Sequence, residues 1–142
     1  MTNKNNSNFS SFEPYVPAAD EGYMSDEQIA HFKTILLNWK SELIESARAS
    51  VENLQDNNEH LADPVDQASK AEELRTEMRT REREAQAIRK IDSALERIHD
   101  DEYGFCDNCG ADIGLKRLEA RPTASLCIEC KTAEERRERL HA

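Results

Sequence analysis

The sequence predicts a mainly α protein: a long antiparallel coiled-coil hairpin with a small globular head and a C-terminal helix. Three observations carry this expectation. Two long runs of apolar residues recur at steps of three and four, a proline flanked by turn-forming residues separates them, and four cysteines sit close together near the C-terminal end as two CxxC pairs.

Composition sets the frame for each element. Of 142 residues, 37% are hydrophobic and 34% charged, and the mean hydropathy is −0.85. Domains typically run to about 100–150 residues, so one ordinary domain or a small head with an extended appendage is available, but no large enzyme core. With so much of the chain needing contact with water, the extended form fits better.

Residues 1–24 read as a flexible arm, rich in Asn and Ser and interrupted by Pro14, Pro17 and Gly22. Phe12, Tyr15, Val16 and Tyr23 give its distal part a means of packing on the head. Ser25 or Asp26 then supplies an N-cap, opening a helical region that extends over 25–103.

In the first run, Ile29, Phe32, Leu36, Trp39, Leu43, Ala47, Val51 and Leu54 recur at steps of 3, 4, 3, 4, 4, 4 and 3. That is one seam of a helix. Ile35 and Ile44 widen it near its start, as expected where that end also touches the head. The pattern fades at Asn57 and Asn58 and stops at Pro64, which is welcome in a first helical turn but pushes Asp63 away from helical geometry. The chain is therefore expected to reverse at a tip near 59–68.

The second run is Val65, Ala68, Ala71, Leu74, Met78, Ala85, Ile88, Ile91, Leu95 and Ile98, with Arg81 where an apolar residue is due, and it ends near Gly104. Each helix should span about 35 residues, or about 50 Å at 1.5 Å per residue. A short connection makes them antiparallel. The alternative is an intermolecular coiled coil in which Pro64 is only a kink, against which Asn57, Asn58, Asp63 and Pro64 together speak.

Beyond the hairpin, the segment 104–142 changes texture. FCDNCGADIGLKRLEARPTASLCIEC lacks helical period, and KTAEERRERLHA reads as a short polar helix. The segment has too few apolar residues to fold on burial alone. Cys106, Cys109, Cys127 and Cys130 supply the remedy, as two CxxC pairs separated by seventeen residues. A CxxC turn presents two thiolates to one metal, and two turns complete the tetrahedron that a Zn²⁺ ion favours. Four protein thiolates leave no open position, so the ion is structural and Lewis-acid catalysis is disfavoured. Gly110 stands where the first turn needs a positive φ. A redox CxxC or a thiol-based zinc-sensing switch is the competing reading, but redox chemistry needs only one pair, set at a helix start.

Charge placement narrows the partners. The formal net charge is −10, and it divides into −2 over residues 1–25, −8 over 26–103 and zero over 104–142. Duplex DNA is bound by cationic surfaces that release counterions, so direct sequence-specific DNA binding is not expected. No run approaches the roughly 20 apolar residues that span a bilayer, and the N-terminus lacks a signal-peptide core, so neither membrane contact nor export is expected and a cytoplasmic location is. In that reducing setting paired cysteines point to metal before disulfide.

Asp63 and Asp66 lie three apart at the start of the second helix, where carboxylates complement the positive end of the dipole. Capping alone would account for them, and at an exposed tip nothing excludes water for a catalytic dyad. The belt RTEMRTRERE carries Arg75, Arg79, Arg81 and Arg83, either a solvated face or a set of cations that docks on an acidic rim.

The hairpin, the tip DPVDQA, the join DDEYGFCDNCG and the stretch IGLKRLEARPTASLCIECK together resemble the DksA/TraR zinc-finger family of bacterial transcription factors, from Tyr23 almost to the end of the chain. The resemblance implies no enzyme, but a regulator, expected to be a monomer, that binds RNA polymerase and inserts its coiled-coil tip in the secondary channel. It further implies that promoter complexes are destabilised together with guanosine tetraphosphate in the stringent response, repressing ribosomal RNA promoters and activating others. Carried over residue by residue, Asp63, Asp66 and Ala68 would act on the polymerase, Arg83 would contact it, and Lys90, Arg121 and Lys131 would hold the alarmone. Ala87 departs from the pattern, since relatives commonly carry a larger aliphatic residue there.

Overall fold

The computed structural model of the protein describes residues 12–56 and 64–141. They form four helices, α1 (Asp26–Asp56), α2 (Pro64–His99), α3 (Leu115–Ala120) and α4 (Ile128–Leu140). The described residues contain no sheet, and a lone antiparallel bridge joins Phe105 to Asp112. None of these helices is long and apolar enough to cross a membrane.

Local chemistry explains where α1 starts. Ser25 is its N-cap: the Gln28 amide donates to Ser25 Oγ at 3.3 Å, and the Met24 amide donates to Gln28 Oε1 at 2.8 Å. This is a capping box shifted by one residue, and it satisfies amides that would otherwise be orphaned. Pro64 opens α2, where its missing N–H costs nothing. Only seven residues separate Asp56 from Pro64, so the two long helices run antiparallel.

The chain falls into two compact units, one made of the chain up to Trp39 and from Ile91 onward, the other of Lys40–Lys90. In the first, Phe32, Ile35 and Leu36 from α1 are buried, as are Ile91 and Ala94 from α2, and Tyr103, Ile113 and Leu118 beyond it. The Phe32 and Tyr103 rings lie 5.9 Å apart. Helix α3, a single six-residue element not foreseen from the sequence, exists because Leu118 is driven fully into this core.

Residues 12–24 lie against the same unit. The Tyr15 amide donates to Glu119 Oε1 at 2.9 Å and its ring sits 5.3 Å from that of His31. The Tyr23 hydroxyl donates to the Gly104 carbonyl at 2.6 Å and accepts the Gly114 amide at 2.9 Å. Gly104 has φ +91°, and a Cβ there would come within 2.6 Å of Met24. Val16, by contrast, is 84% exposed.

In the Lys40–Lys90 unit the expected apolar seam holds at Leu43, Ala47 and Ile88, which are buried or partly so, but fails over the first part of α2. Ile44, Val65, Leu74 and Met78 are exposed, as are Ala68, Ala71 and Ala85. In this unit the residues of α2 that are partly or wholly buried are Lys70, Glu77, Arg81, Glu84, Ala87 and Ile88. Glu84 is only 8% exposed; Ser46 Oγ donates to its Oε1 at 2.9 Å, and its Oε2 is buried with no hydrogen-bond partner among the described residues. A buried, half-satisfied carboxylate costs stability. Glu84→Leu should therefore raise the free energy of unfolding by about 1–3 kcal/mol, whereas Ser46→Ala, which strands the second oxygen, should lower it by a similar amount. Equilibrium urea unfolding checks both signs.

A second expectation concerns the turn that leads into α1. The Glu21 carboxylate accepts the Ser25 hydroxyl, the Tyr15 hydroxyl at 2.6 Å and the Ala18 amide at 3.0 Å. Hydrogen bonds from Ser25 and then Tyr15 lower its pKa from 4.5 to about 2. A carboxylate depressed in the folded state stabilises above its unfolded pKa and loses that contribution as pH falls through the folded one. The turn should thus stay docked above pH 4.5 and loosen towards pH 2, visible as faster amide exchange at Ala18 than in the interior of α1. Glu21→Gln should remove the pH dependence.

Candidate functional site

The two CxxC pairs reach one another by different routes. The first lies in a tight knuckle: the Gly110 amide donates to the Cys106 carbonyl at 2.9 Å, the Cys106 amide to the Ala111 carbonyl at 2.8 Å, and Gly110 takes the expected positive φ of 76°. The second opens α4, with Cys127 as the N-cap residue and the Lys131 amide bonded to its carbonyl at 2.9 Å. An amide of one knuckle, that of Asp107, reaches across to the Ser125 carbonyl at 2.9 Å.

All four Sγ atoms lie within 4.8 Å of one another. Four sulfurs at the Zn–S distance of about 2.3 Å in a tetrahedron would be spaced by about 3.8 Å, and Cys109 and Cys127 stand 3.7 Å apart. None of the four is in a disulfide, and Cys106 and Cys127 are buried while Cys109 is exposed. The donor set therefore fits a tetrahedral thiophilic ion.

At Cys106 the backbone favours the thiolate, while the thiols of Cys109 and Cys130 are pushed up, with neighbouring sulfurs among the causes. Amides of Cys127, then Cys109 and Asn108, lower the Cys106 pKa from 9.0 to about 6. Asn108 Nδ2 donates to Cys130 Sγ at 3.5 Å. Such outer contacts orient metal ligands and tune their basicity.

One residue that sequence reasoning missed ties the first knuckle to α2. Arg97, with a side chain 13% exposed, donates through Nη2 to the Phe105 carbonyl at 2.6 Å and pairs with Asp107 Oδ1 at 3.0 Å. Its only sequence signal is a cation in the last turn of a helix, where the dipole welcomes it. Tyr103 was missed as well; its hydroxyl donates to the Pro122 carbonyl at 2.6 Å inside the core.

The remaining candidates scatter over the chain. Asp63 lies outside the described residues. Asp66 sits in the first turn of α2, and Ala68, like Asp66, is exposed. Arg83 and Lys90 are exposed on α2 in the Lys40–Lys90 unit. Arg121, exposed, is the C-cap of α3. Lys131, on α4, donates from Nζ to Glu134 Oε2 at 2.9 Å, and that hydrogen bond raises its pKa.

Comparison with known proteins decides the family. The family model described as "DnaK suppressor protein DksA, N-terminal domain" matches residues 28–98, and "Prokaryotic dksA/traR C4-type zinc finger" matches 101–136. The chain belongs to the DksA family. The RNA polymerase-binding transcription factor DksA of Haemophilus influenzae is 46% identical over 127 residues, covering 89% of this chain and 88% of that protein. That of Escherichia coli strain K12 is 45% identical, covering 89% and 84%. The solved structure of transcription factor DksA2 from Pseudomonas aeruginosa, 42% identical, superposes with a TM-score of 0.74 over 82% of this chain and 90% of that one.

Membership makes the cysteine cluster a C4-type zinc finger holding one structural zinc, and the coiled-coil hairpin with its four-cysteine head is the DksA fold. The family is one of transcription factors, not enzymes. Chelation of the metal should unfold residues 103–130, seen as lost amide protection there, and Cys106→Ser should yield protein with less than one zinc per chain by elemental analysis. Arg97→Met should hasten zinc transfer to a chromophoric chelator by about 10–100-fold, the usual cost of losing an outer-shell partner.

Proposed function

We propose that this chain binds RNA polymerase directly, as a monomer, and shifts the lifetime of promoter complexes. The observation that carries the reading is identity of 45–46% with polymerase-binding transcription factors over 89% of the chain. The coiled-coil tip enters the secondary channel of the polymerase, where Asp63, Asp66 and Ala68 act, while Arg83 contacts the enzyme along α2. Guanosine tetraphosphate binds between factor and polymerase, with Lys90, Arg121 and Lys131 as this chain's cations. Ribosomal RNA promoters are repressed and others activated under starvation.

The physical properties of the residues support this assignment. Asp66 is exposed in the first turn of α2, so its carboxylate is open to a partner. The −8 charge of residues 26–103 opposes binding to DNA phosphates but not entry into a channel lined by cations or metal. A tetraphosphorylated nucleotide calls for several Lys or Arg donors. A change of about 1–2 kcal/mol in complex stability alters occupancy by about five- to thirtyfold, so a few contacts at the tip are enough.

The test is the half-life of competitor-resistant complexes at a ribosomal RNA promoter, with and without the nucleotide. The wild-type protein should shorten it severalfold, further with guanosine tetraphosphate. Asp66→Asn should abolish the effect while leaving polymerase binding intact. A wild-type protein without effect on the half-life would refute the reading.

A further inference from the structure

Helix α4 contains an ion pair that bears on the nucleotide site proposed above. Lys131 Nζ and Glu134 Oε2 lie 2.9 Å apart, one helical turn from each other, with side chains 33% and 40% exposed. Arg121, the other candidate cation of the same unit, has no ion pair among the described residues. One of the two is therefore open to an anion, and the other is already held by a carboxylate.

We infer that Glu134 is an internal competitor for Lys131, which sets how much guanosine tetraphosphate is needed for a response. The inference rests on the proposed role of Lys131 in binding that nucleotide. An ammonium offers three donors, and one of them points at Glu134. A phosphate approaching Lys131 must either displace the Glu134 carboxylate or settle beside it. Displacement forfeits the existing pair, and cohabitation sets a negative carboxylate a few ångströms from a polyanion. Both outcomes weaken nucleotide binding without preventing it.

The strength of the attenuation follows from the exposure of the pair. Partly exposed i,i+3 pairs on a helix are worth little and are screened by salt, so Glu134 can swing away at modest cost. A several-fold adjustment of affinity is the scale that such a contact supports. Glu135 and Glu138 follow on the same helix and add a diffuse negative field, but neither makes an ion pair with Lys131. Glu134 is thus the residue whose charge acts on Lys131 through a direct contact.

The experiment measures equilibrium binding of guanosine tetraphosphate to the complex of RNA polymerase with the full chain, for the wild type, Glu134→Gln, Lys131→Ala and the double variant. Glu134→Gln should tighten binding by about two- to fivefold, less at high salt. Lys131→Ala should weaken it, and Glu134→Gln should bring no gain in the Lys131→Ala background. Polymerase affinity without nucleotide should be the same for Glu134→Gln and the wild type. An unchanged or weaker affinity in Glu134→Gln, a gain that persists without Lys131, or altered polymerase affinity without nucleotide would overturn the competitor role while leaving the nucleotide site standing. If Lys131→Ala leaves nucleotide binding untouched, Lys131 is not part of the site and both readings fall together.

Discussion

Four thiolates must converge on one ion, and much of the geometry of the head follows from that requirement. The segment from Gly104 onward carries equal numbers of acids and bases and few large apolar side chains, so burial alone cannot close it. Structural zinc supplies folding free energy directly, because the ligands are scattered in the unfolded chain and gathered in the folded one. What the protein must provide is a set of ties that hold two knuckles in register. The Ser125 carbonyl and the buried Tyr103 hydroxyl supply those ties, each in a hydrogen bond between segments that the metal also brings together, while the Arg97 guanidinium anchors the first knuckle to α2. Cooperation between them makes metal retention and local order one property.

The Lys40–Lys90 unit obeys a different constraint. A two-helix coiled coil has no third layer to shield its seam, so each apolar residue added to it leaves part of its surface in water. Glu77, Arg81 and Glu84 continue the heptad phase of Ile88, Ile91, Leu95 and Ile98, and α1 answers with Ser46 and Ser50. A polar contact inside a seam lowers stability but selects one register, because any slide would strand the carboxylate among apolar side chains. The Ser46 to Glu84 hydrogen bond has the position and burial for that selection.

These two constraints differ in how clearly the sequence displays them. Zinc demands a particular atom type at a particular spacing, so Cys106, Cys109, Cys127 and Cys130 were legible without any knowledge of the fold, and Gly110 with them. Ser25 and Pro64 were equally readable, since capping and the missing amide act within one turn. The seam of α2 was legible from Ile88 onward but not before it, because a search for apolar residues follows Met78 and Ala85, which are exposed, and passes over Glu84, which is buried. Helix α3 was invisible for another reason: six residues hold less than two turns, too few for a period, and only the tertiary burial of Leu118 makes them helical. Arg97 gave no signal either, as its partners are a carbonyl and a carboxylate that become neighbours only after folding.

Asp66 illustrates how a structural role can leave a side chain open for the functional role proposed for it. A carboxylate in the first turn of a helix gains about 0.3–1 kcal/mol from the dipole, and that gain needs no particular partner and tolerates full exposure. The residue thus contributes to local stability while its oxygens remain available to whatever approaches. The same economy does not apply to Lys131, whose cation is engaged by Glu134 before any ligand arrives. A dipole acts on a charge without occupying its hydrogen bonds, and an ion pair occupies them. Sites that must meet a partner are thus better stabilised by helix ends than by neighbouring counter-charges, unless their response is meant to be damped.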